Sequence, residues 1–440
     1  MIATAEFAAR RRALLDKLAP DSLLVMPAGR LVTRSNDTEY PFRQHSDFHY
    51  LTGFPEPDAW LLLSNHPRHQ DAATVLLCLD KDPMAEIWHG RRIGPEQAAE
   101  QFGVDLALSI SDLDEILFTF MDGHRHLYVA LGDNEHADAV VMDALNALRQ
   151  APKQSRLAPQ SLIDWRPLVH EMRLFKSDGE IAVMERAAQL SAEAHVRAMR
   201  FCAPGKHEYQ LAGELHHTFA MGGAAGPAYG TIVGSGDNAC ILHYTENSDA
   251  LTDGDLVLID AGAELAGYAA DITRTFPVNG RFSPEQKALY QWVLDAQLAS
   301  MALLKPGNTL KQATDKAIEV LTTGLIELGL LHGDVQDNIG RQTYRQFFMH
   351  GLGHWLGLDV HDVGAYKVDG QDRPLQAGMV LTVEPGLYIA PDAEVDPRWR
   401  GIGIRIEDNV VITADGHRVI TDGVPKAVDE IERLMAEAKD

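Results

Sequence analysis

The segment FFMHGLGHWLGLDVHD, residues 347–362, sets His350, His354 and His361 among glycines and bulky apolar side chains. His350 and His354 stand four apart, the spacing that puts two zinc ligands on one helix face in H-E-x-x-H proteases. Here Gly351 fills the glutamate position, and Gly353 and Gly357 work against a regular helix. If these histidines serve a metal, they need other partners. Four acids in segments that should be mostly apolar strands can supply them. Asp260 interrupts LVLIDAG, Asp271 interrupts YAADITRTF, Glu384 follows VLTV and Glu407 follows GIRI. Taken singly, each reads as a turn or salt-bridge residue. A lone buried carboxylate is costly, however, so each must be neutralised, paired or bound to metal. With one glycine-flanked histidine, the four form an oxygen-rich, thiolate-free set suited to hard divalent ions. Two divalent ions would balance four carboxylates and leave room for a bridging hydroxide, whereas one ion with all these ligands would be overcharged and closed to substrate. In the last strand Ile402, Ile404 and Ile406 share one face, so Arg405 and Glu407 share the other. Glu407 can then face a metal while Arg405 braces a neighbouring carboxylate or grips substrate. The plainer alternative is a surface ion pair.

The elements that must position these residues fall into two groups. Over 1–174, SLLVMPAG (22–29), WLLLS (60–64), TVLLCLD (74–80) and HLYVALG (126–132) read as strands, and DAVVMDALNALRQ (138–150) as a helix ahead of a basic, proline-bearing connector, APKQSRLAPQ. The N-terminal twenty residues read as a surface helix. Strands alternating with helices predict an α/β domain. A boundary falls near Phe175, where Ser177 and Glu180 have capping-box spacing ahead of a helical pattern that Pro204 and Gly205 end. Over 175–440, residues 254–262 and 268–278 read as a hairpin joined through 264–267, Ser283-Pro284 opens a helix, and Pro306-Gly307 divides it from another. MVLTVEPGLYI and GIGIRIEDNVVIT read as two further strands, and a short helix starts from Pro425. This second domain is α+β.

With 440 residues, the chain is long enough for two cores, and its 45% hydrophobic and 23% charged content is that of a soluble globular protein. A net charge of −24 argues against nucleic acid or anionic membrane as partners. Cys78, Cys202 and Cys240 are odd in number and far apart, which fits a reducing cytoplasm rather than a disulfide framework. There is no apolar core of signal-peptide length, nor a window approaching the ~18 apolar residues of a membrane span. A cytoplasmic location is expected.

DLVLIDAGAELAGYAADITRTFPV, FFMHGLGHWLGLDVHD, LTVEPGLYI and GIGIRIEDNVVIT together resemble the pita-bread metallopeptidases, and among them the bacterial aminopeptidase P (Xaa-Pro aminopeptidase) group. The likeness extends to EYPFRQHSDFHYLTGFPEPDAW, EIWHGRRIGPEQA, IDWRPLVHEMRLFKS and IVGSGDNACILHYTEN. It implies a curved, largely antiparallel sheet flanked by helices in the second domain. It implies Asp260, Asp271, His354, Glu384 and Glu407 as ligands of two metal ions, with Mn²⁺ favoured and zinc, cobalt or iron also fitting, and with Asp271 and Glu407 bridging. It also implies hydrolysis of the bond before a proline in second position by a metal-bridging hydroxide, with Glu384 accepting its proton. His243, His350 and His361 become the active-site histidines, the first two of the roles (holding the oxyanion and passing a proton to the proline nitrogen) going to His243 and His361 and the proline pocket to His350. Arg405 and Tyr388 become supporting residues. The protein is expected to be a homo-oligomer, dimer or tetramer, in which Trp88 either reaches a neighbour's site or sits half-buried at a strand end. Two alternatives stay open: a prolidase acting on Xaa-Pro dipeptides, and a non-catalytic peptide-binding protein of the same fold.

Overall fold

The computed structural model describes residues 2–437 apart from 152 and 154, so two positions of the connector lie outside the described residues. The chain divides into two compact units, 1–173 and 174–440.

The first unit is built on a six-stranded mixed sheet. Its strands are β1 (Ser22–Pro27), β2 (Trp60–Ser64), β3 (Thr74–Cys78), β4 (Leu106–Ser109), β5 (His126–Tyr128) and β6 (Ser161–Ile163), in spatial order β4-β3-β2-β1-β5-β6. The β1-β2 and β2-β3 pairs are antiparallel and the outer pairs parallel. Period-2 alternation puts Leu23, Val25, Leu62, Val75 and Leu77 on one face, where they meet Val141, Leu145 and Leu148 of a helix, Glu135–Arg149. The last expected strand stops at Tyr128, short of Gly132. The N-terminal helix, α1 (Thr4–Leu15), is not a plain surface helix. Phe7 and Leu14 are buried, and the Arg10 and Arg11 guanidiniums donate to the Tyr50 and Leu51 carbonyls (3.0 and 2.8 Å). Those are the orphan carbonyls at the end of the helix Ser46–Thr52.

The second unit opens with α2 (Asp178–Phe201), whose Ser177–Glu180 capping box forms as the spacing predicts. Next come α3 (Glu208–Met221) and an antiparallel sheet of β7 (Ile232–Ser235), β8 (Leu256–Asp260) and β9 (Thr273–Pro277). The expected hairpin from 254 to 278 is interrupted in its middle. Residues 261–262 and 270–272 leave the ladder, and 263–265 and 268–269 form a separate small hairpin. The crossing is so close that a Cβ on Gly262 would stand 1.7 Å from the Ala270 carbonyl oxygen, so only glycine fits there. Ser283 and Gln286 cap α4 (Pro284–Met301), which packs against α5 (Leu310–Glu327).

The two remaining expected strands are four. MVLTVEPGLYI gives β10 (Val380–Val383) and β11 (Gly386–Ile389), and GIGIRIEDNVVIT gives β12 (Ile402–Arg405) and β13 (Asp408–Ile412). Strand β10 pairs with β13, and β11 with β12. Both breaks fall at an acid: Glu384 with Pro385, which has no N–H to give a ladder, and Ile406 with Glu407. The Gln297 side-chain amide, wholly buried on α4, donates to the Val383 and Ile406 carbonyls (3.2 and 3.1 Å), satisfying backbone groups that the breaks would otherwise orphan. A last helix, α6 (Val428–Glu437), lays Ile431 and Met435 onto the main core. No helix among the described residues is long and apolar enough to cross a membrane.

Candidate active site

The strand breaks aim acids at one cavity of about 580 Å³. Asp260 ends β8, Asp271 sits just before β9, and Glu384 and Glu407 stand at the two interruptions. His354 reaches in from the glycine-rich segment, which forms no helix. Gly353 lets that segment lie against β10, where a Cβ would meet the Thr382 carbonyl oxygen at 2.0 Å. Asp271 has no strand partner of its own. Its backbone N–H donates to the Asn409 side chain (2.9 Å) and its carbonyl accepts from the same amide (2.5 Å), a ladder made by one side chain.

The electrostatics are those of a site built for cations. Burial, reinforced by Asp260 and Glu384, raises Asp271 well above the ordinary carboxylate range. Burial and the neighbouring acids do the same to Glu384 and Glu407. Glu407 Oε2 accepts from the Thr273 hydroxyl (2.6 Å), but its buried Oε1 has no hydrogen-bond partner among the described residues. His354 Nδ1 donates to the Trp355 carbonyl (2.9 Å), which leaves the Nε2 lone pair facing Asp271 Oδ2 and Glu384 Oε1, each 3.5 Å away. Lone pair against carboxylate is repulsive unless a proton or a metal lies between them, and a carbonyl-anchored imidazole is the usual posture of a metal-bound histidine. Asp271, His354 and Glu407 present ligand atoms within 4.8 Å of one another. The orphaned oxygen, the aimed lone pair and the hard donor set all fit divalent ions.

Around this set, Arg405 donates to Asp260 (2.7 Å), to the Tyr388 hydroxyl (2.9 Å) and to Thr273 Oγ1 (3.2 Å). Of the two roles open to it, bracing a carboxylate is the one its hydrogen bonds display. The Tyr388 hydroxyl in turn donates to His350 Nε2 (2.8 Å), because His350 Nδ1 donates to the Gly351 carbonyl (2.8 Å). Both His350 nitrogens are thus occupied, and burial pushes its pKa down to about 4. His243 and His361 line the same cavity from exposed loop positions, and neither ring has a hydrogen-bond partner among the described residues. The ring of His361 packs on His354 with centroids 4.1 Å apart. Two buried ionic groups fix these loops. Asp362 is paired with Lys176 (2.7 Å) beneath His361. Glu208 accepts from Ser235, Asn238, Tyr244 and Asp249, gathering the loop that carries His243. Trp88 lies in the first unit on the helix Pro83–His89 and is 77% exposed, so the half-buried strand-end placement is not what the fold adopts.

Tyr229 is a residue that the spacing of acids and histidines does not reveal. Its hydroxyl lies 2.7 Å from Asp260 Oδ1 and 2.5 Å from Asp271 Oδ1. The hydroxyl thus bridges two of the carboxylates, one of them the raised Asp271. Thr273 and Thr275, buried polar residues on the Asp271 face of the strand, offered a period-2 signal. Tyr229, thirty-odd residues upstream in a loop, offered none.

A hydrolytic metal centre in a two-unit chain is the class that this geometry defines. Residues 182–414 match the Metallopeptidase family M24, and residues 7–128 match the Aminopeptidase P, N-terminal domain. The Xaa-Pro aminopeptidase of Escherichia coli is 52% identical, with all of this chain and 99% of the relative covered. That of Haemophilus influenzae is 46% identical, covering 98% and 97%. Among solved structures, the Pseudomonas aeruginosa aminopeptidase PepP superposes with a TM-score of 0.98 at 50% identity, covering 100% of this chain and 99% of the other. The chain belongs to metallopeptidase family M24, with an aminopeptidase P-type domain ahead of a pita-bread domain.

Proposed function

We propose that this protein is a dinuclear-metal aminopeptidase that releases the first residue of peptides with proline in second position. The observation that carries the metal chemistry is the convergence of an unpartnered Glu407 oxygen, the His354 lone pair and Asp271 in one cavity. The proline specificity is supported by full-length identity to relatives named Xaa-Pro aminopeptidase. Asp260, Asp271, His354, Glu384 and Glu407 would hold the two ions. When bound, such a pair lowers the pKa of water and polarises the scissile carbonyl.

The chain's own residues do the rest. Glu384, on the cavity wall beside His354, takes the proton of the attacking water. The proline nitrogen is tertiary and must gain a proton to leave, and His243 or His361 can supply it or donate to the developing oxyanion, having ring nitrogens to spare. His350 has none to spare, so its ring serves as a wall for the pyrrolidine. Arg405 braces Asp260 by a hydrogen bond and keeps the Tyr388 hydroxyl in register with His350. Manganese is the ion favoured by so oxygen-rich a set. The protein works in the cytoplasm and as a homo-oligomer; the assembly is supported by Met84, Ile87 and Trp88 exposed together on one short helix, from which Trp88 would reach a neighbouring subunit's site. Asp271→Ala and His354→Ala should each abolish turnover with the fold retained. Turnover surviving in either, after verified metal removal and reconstitution with manganese, would overturn the assignment.

A further inference from the structure

Two buried side chains on α2 take no part in the site described above, yet they end on the backbone beside it. Ser191 and His195 stand one helical turn apart, share a face and are both fully buried. His195 Nε2 donates to the Ala261 carbonyl (2.9 Å). Ser191 Oγ accepts from the Ala263 N–H (2.9 Å) and gives its own proton to the Ala187 carbonyl within the helix (2.8 Å). A carbonyl only accepts, so Nε2 carries the ring's proton. Nδ1 is then a bare, buried lone pair with no hydrogen-bond partner among the described residues. Burial pushes the ring down to about 4, so it is neutral in neutral solution. The two backbone groups that α2 holds flank Gly262, where the chain passes too close to Ala270 for any Cβ. Other groups of this crossing find backbone partners: the Ala261 N–H donates to Ile272 (3.0 Å), the Ala270 N–H to Ala263 (3.1 Å) and the Ala228 N–H to Gly262 (2.8 Å). Asp260 lies just before the crossing on one side and Asp271 just after it on the other. The crossing therefore sets the separation of the backbones from which these two carboxylates project, and α2 fixes the crossing.

We propose that His195 and Ser191 are positioning residues for the metal centre, clamping from one face of α2 the crossing that sets Asp260 against Asp271. The role presupposes the centre proposed above, since it acts only through that centre's ligands. It also accounts for the choice of side chain. A position that needed only filling would hold a leucine, without an orphaned nitrogen, and a buried polar atom left unpaired calls for such an account. A ring with two side-chain torsions fixes the carbonyl it holds more firmly than a glutamine amide with three. Metal centres respond strongly to supports of this kind. Loss of a group behind the ligands costs roughly 10–100-fold in affinity, and a misplacement of about 1 Å costs on the order of 10²-fold in rate.

The test is the manganese affinity of the chelator-stripped, full-length protein, read from the paramagnetic resonance signal of free Mn²⁺, with Asp271→Ala defining the share that belongs to the centre. His195→Leu should weaken that share roughly 10–100-fold. At saturating manganese its kcat on Arg-Pro-Pro should fall by on the order of tenfold or more, with KM within about twofold of the parent's. His195→Gln returns an N–H to the Ala261 carbonyl and should recover most of both losses. Ser191→Ala removes a single hydroxyl, so it keeps the fold even where His195→Leu does not, and should weaken the affinity by roughly tenfold. Leu325→Ala opens a cavity on α5 and measures what a loss of stability alone does. Its unfolding midpoint should drop at least as far as that of His195→Leu, with manganese affinity matching the parent's. Parent-like affinity in either His195→Leu or Ser191→Ala, failure of His195→Gln to restore what the leucine variant loses, or an equal loss of affinity in Leu325→Ala would overturn the role. Manganese binding by the parent that is indifferent to Asp271→Ala would overturn the centre itself, and the role with it.

Discussion

Replacing Arg405 by methionine keeps most of the side-chain stem and removes its charge from the centre of the carboxylate cluster. Arg405 is 4% exposed and its partner Asp260 about as sheltered, so solvent does little to screen the pair. Without the guanidinium, Asp260 faces Asp271 and Glu407 uncompensated, and the Tyr388 hydroxyl loses its donor. Removing one partner of a buried ion pair costs about 3–5 kcal/mol. At roughly 2–4 °C per kcal/mol for a unit of this size, the unfolding midpoint of the chelator-treated protein should fall by on the order of 10 °C. Metal ions in the cluster would compensate the same carboxylates, so the manganese-loaded variant should lose less than half as much. Differential scanning calorimetry of parent and variant, each stripped and loaded, supplies the four midpoints. Equal losses with and without metal, or a loss below about 1 kcal/mol in the stripped protein, would refute the view that Arg405 and the ions neutralise one shared charge cluster.

Tyr229→Phe removes the hydroxyl between Asp260 and Asp271; metal affinity, followed by chelator competition, should weaken by roughly 10–100-fold with little change in fold. An unaltered affinity would make Tyr229 a space-filler. In the first unit, burial alone would raise Asp47, but the hydrogen bond from His170 and the charge of Arg173 outweigh it and hold the carboxyl at about 2, below its ordinary 3.8. The carboxylate's stabilisation is therefore complete above the ordinary value and is lost as pH falls towards 2. Asp47→Asn should remove about 2 kcal/mol at neutral pH and flatten the acid limb of that unit's stability curve. An acid limb identical in both proteins would contradict this.

Much of the site can be read from the sequence because a carboxylate inside an apolar strand is a visible anomaly. Asp260, Glu384 and Glu407 each break a run of valine, leucine or isoleucine, Asp271 interrupts YAADITRTF, and all four face the cavity. The alternation argument also puts Arg405 and Glu407 on one side, although the strand carrying them ends between the two. Where the strands break is harder to read. Pro385 marks one interruption, but nothing in GIGIRIEDNVVIT marks the other, because the break is held by Gln297 from a distant helix. That glutamine looks like any polar residue on a half-buried helix. Tyr229, Glu208 and Asn409 escape notice for the same reason: their partners lie from about 30 to 140 residues away, and pairing at that distance leaves no local period. Capping boxes at Ser177 and Ser283 are legible because their partners are three residues off.

The most direct test of the central claim is a two-substrate assay on purified protein stripped with chelator and resupplied with Mn²⁺. A tripeptide such as Arg-Pro-Pro and the dipeptide Ala-Pro are offered separately, and release of the first residue is measured. Cleavage of the tripeptide that disappears with chelator and returns with metal is the predicted result. Turnover of the dipeptide alone would make the protein a prolidase, and silence on both would leave a peptide-binding protein in place of a peptidase.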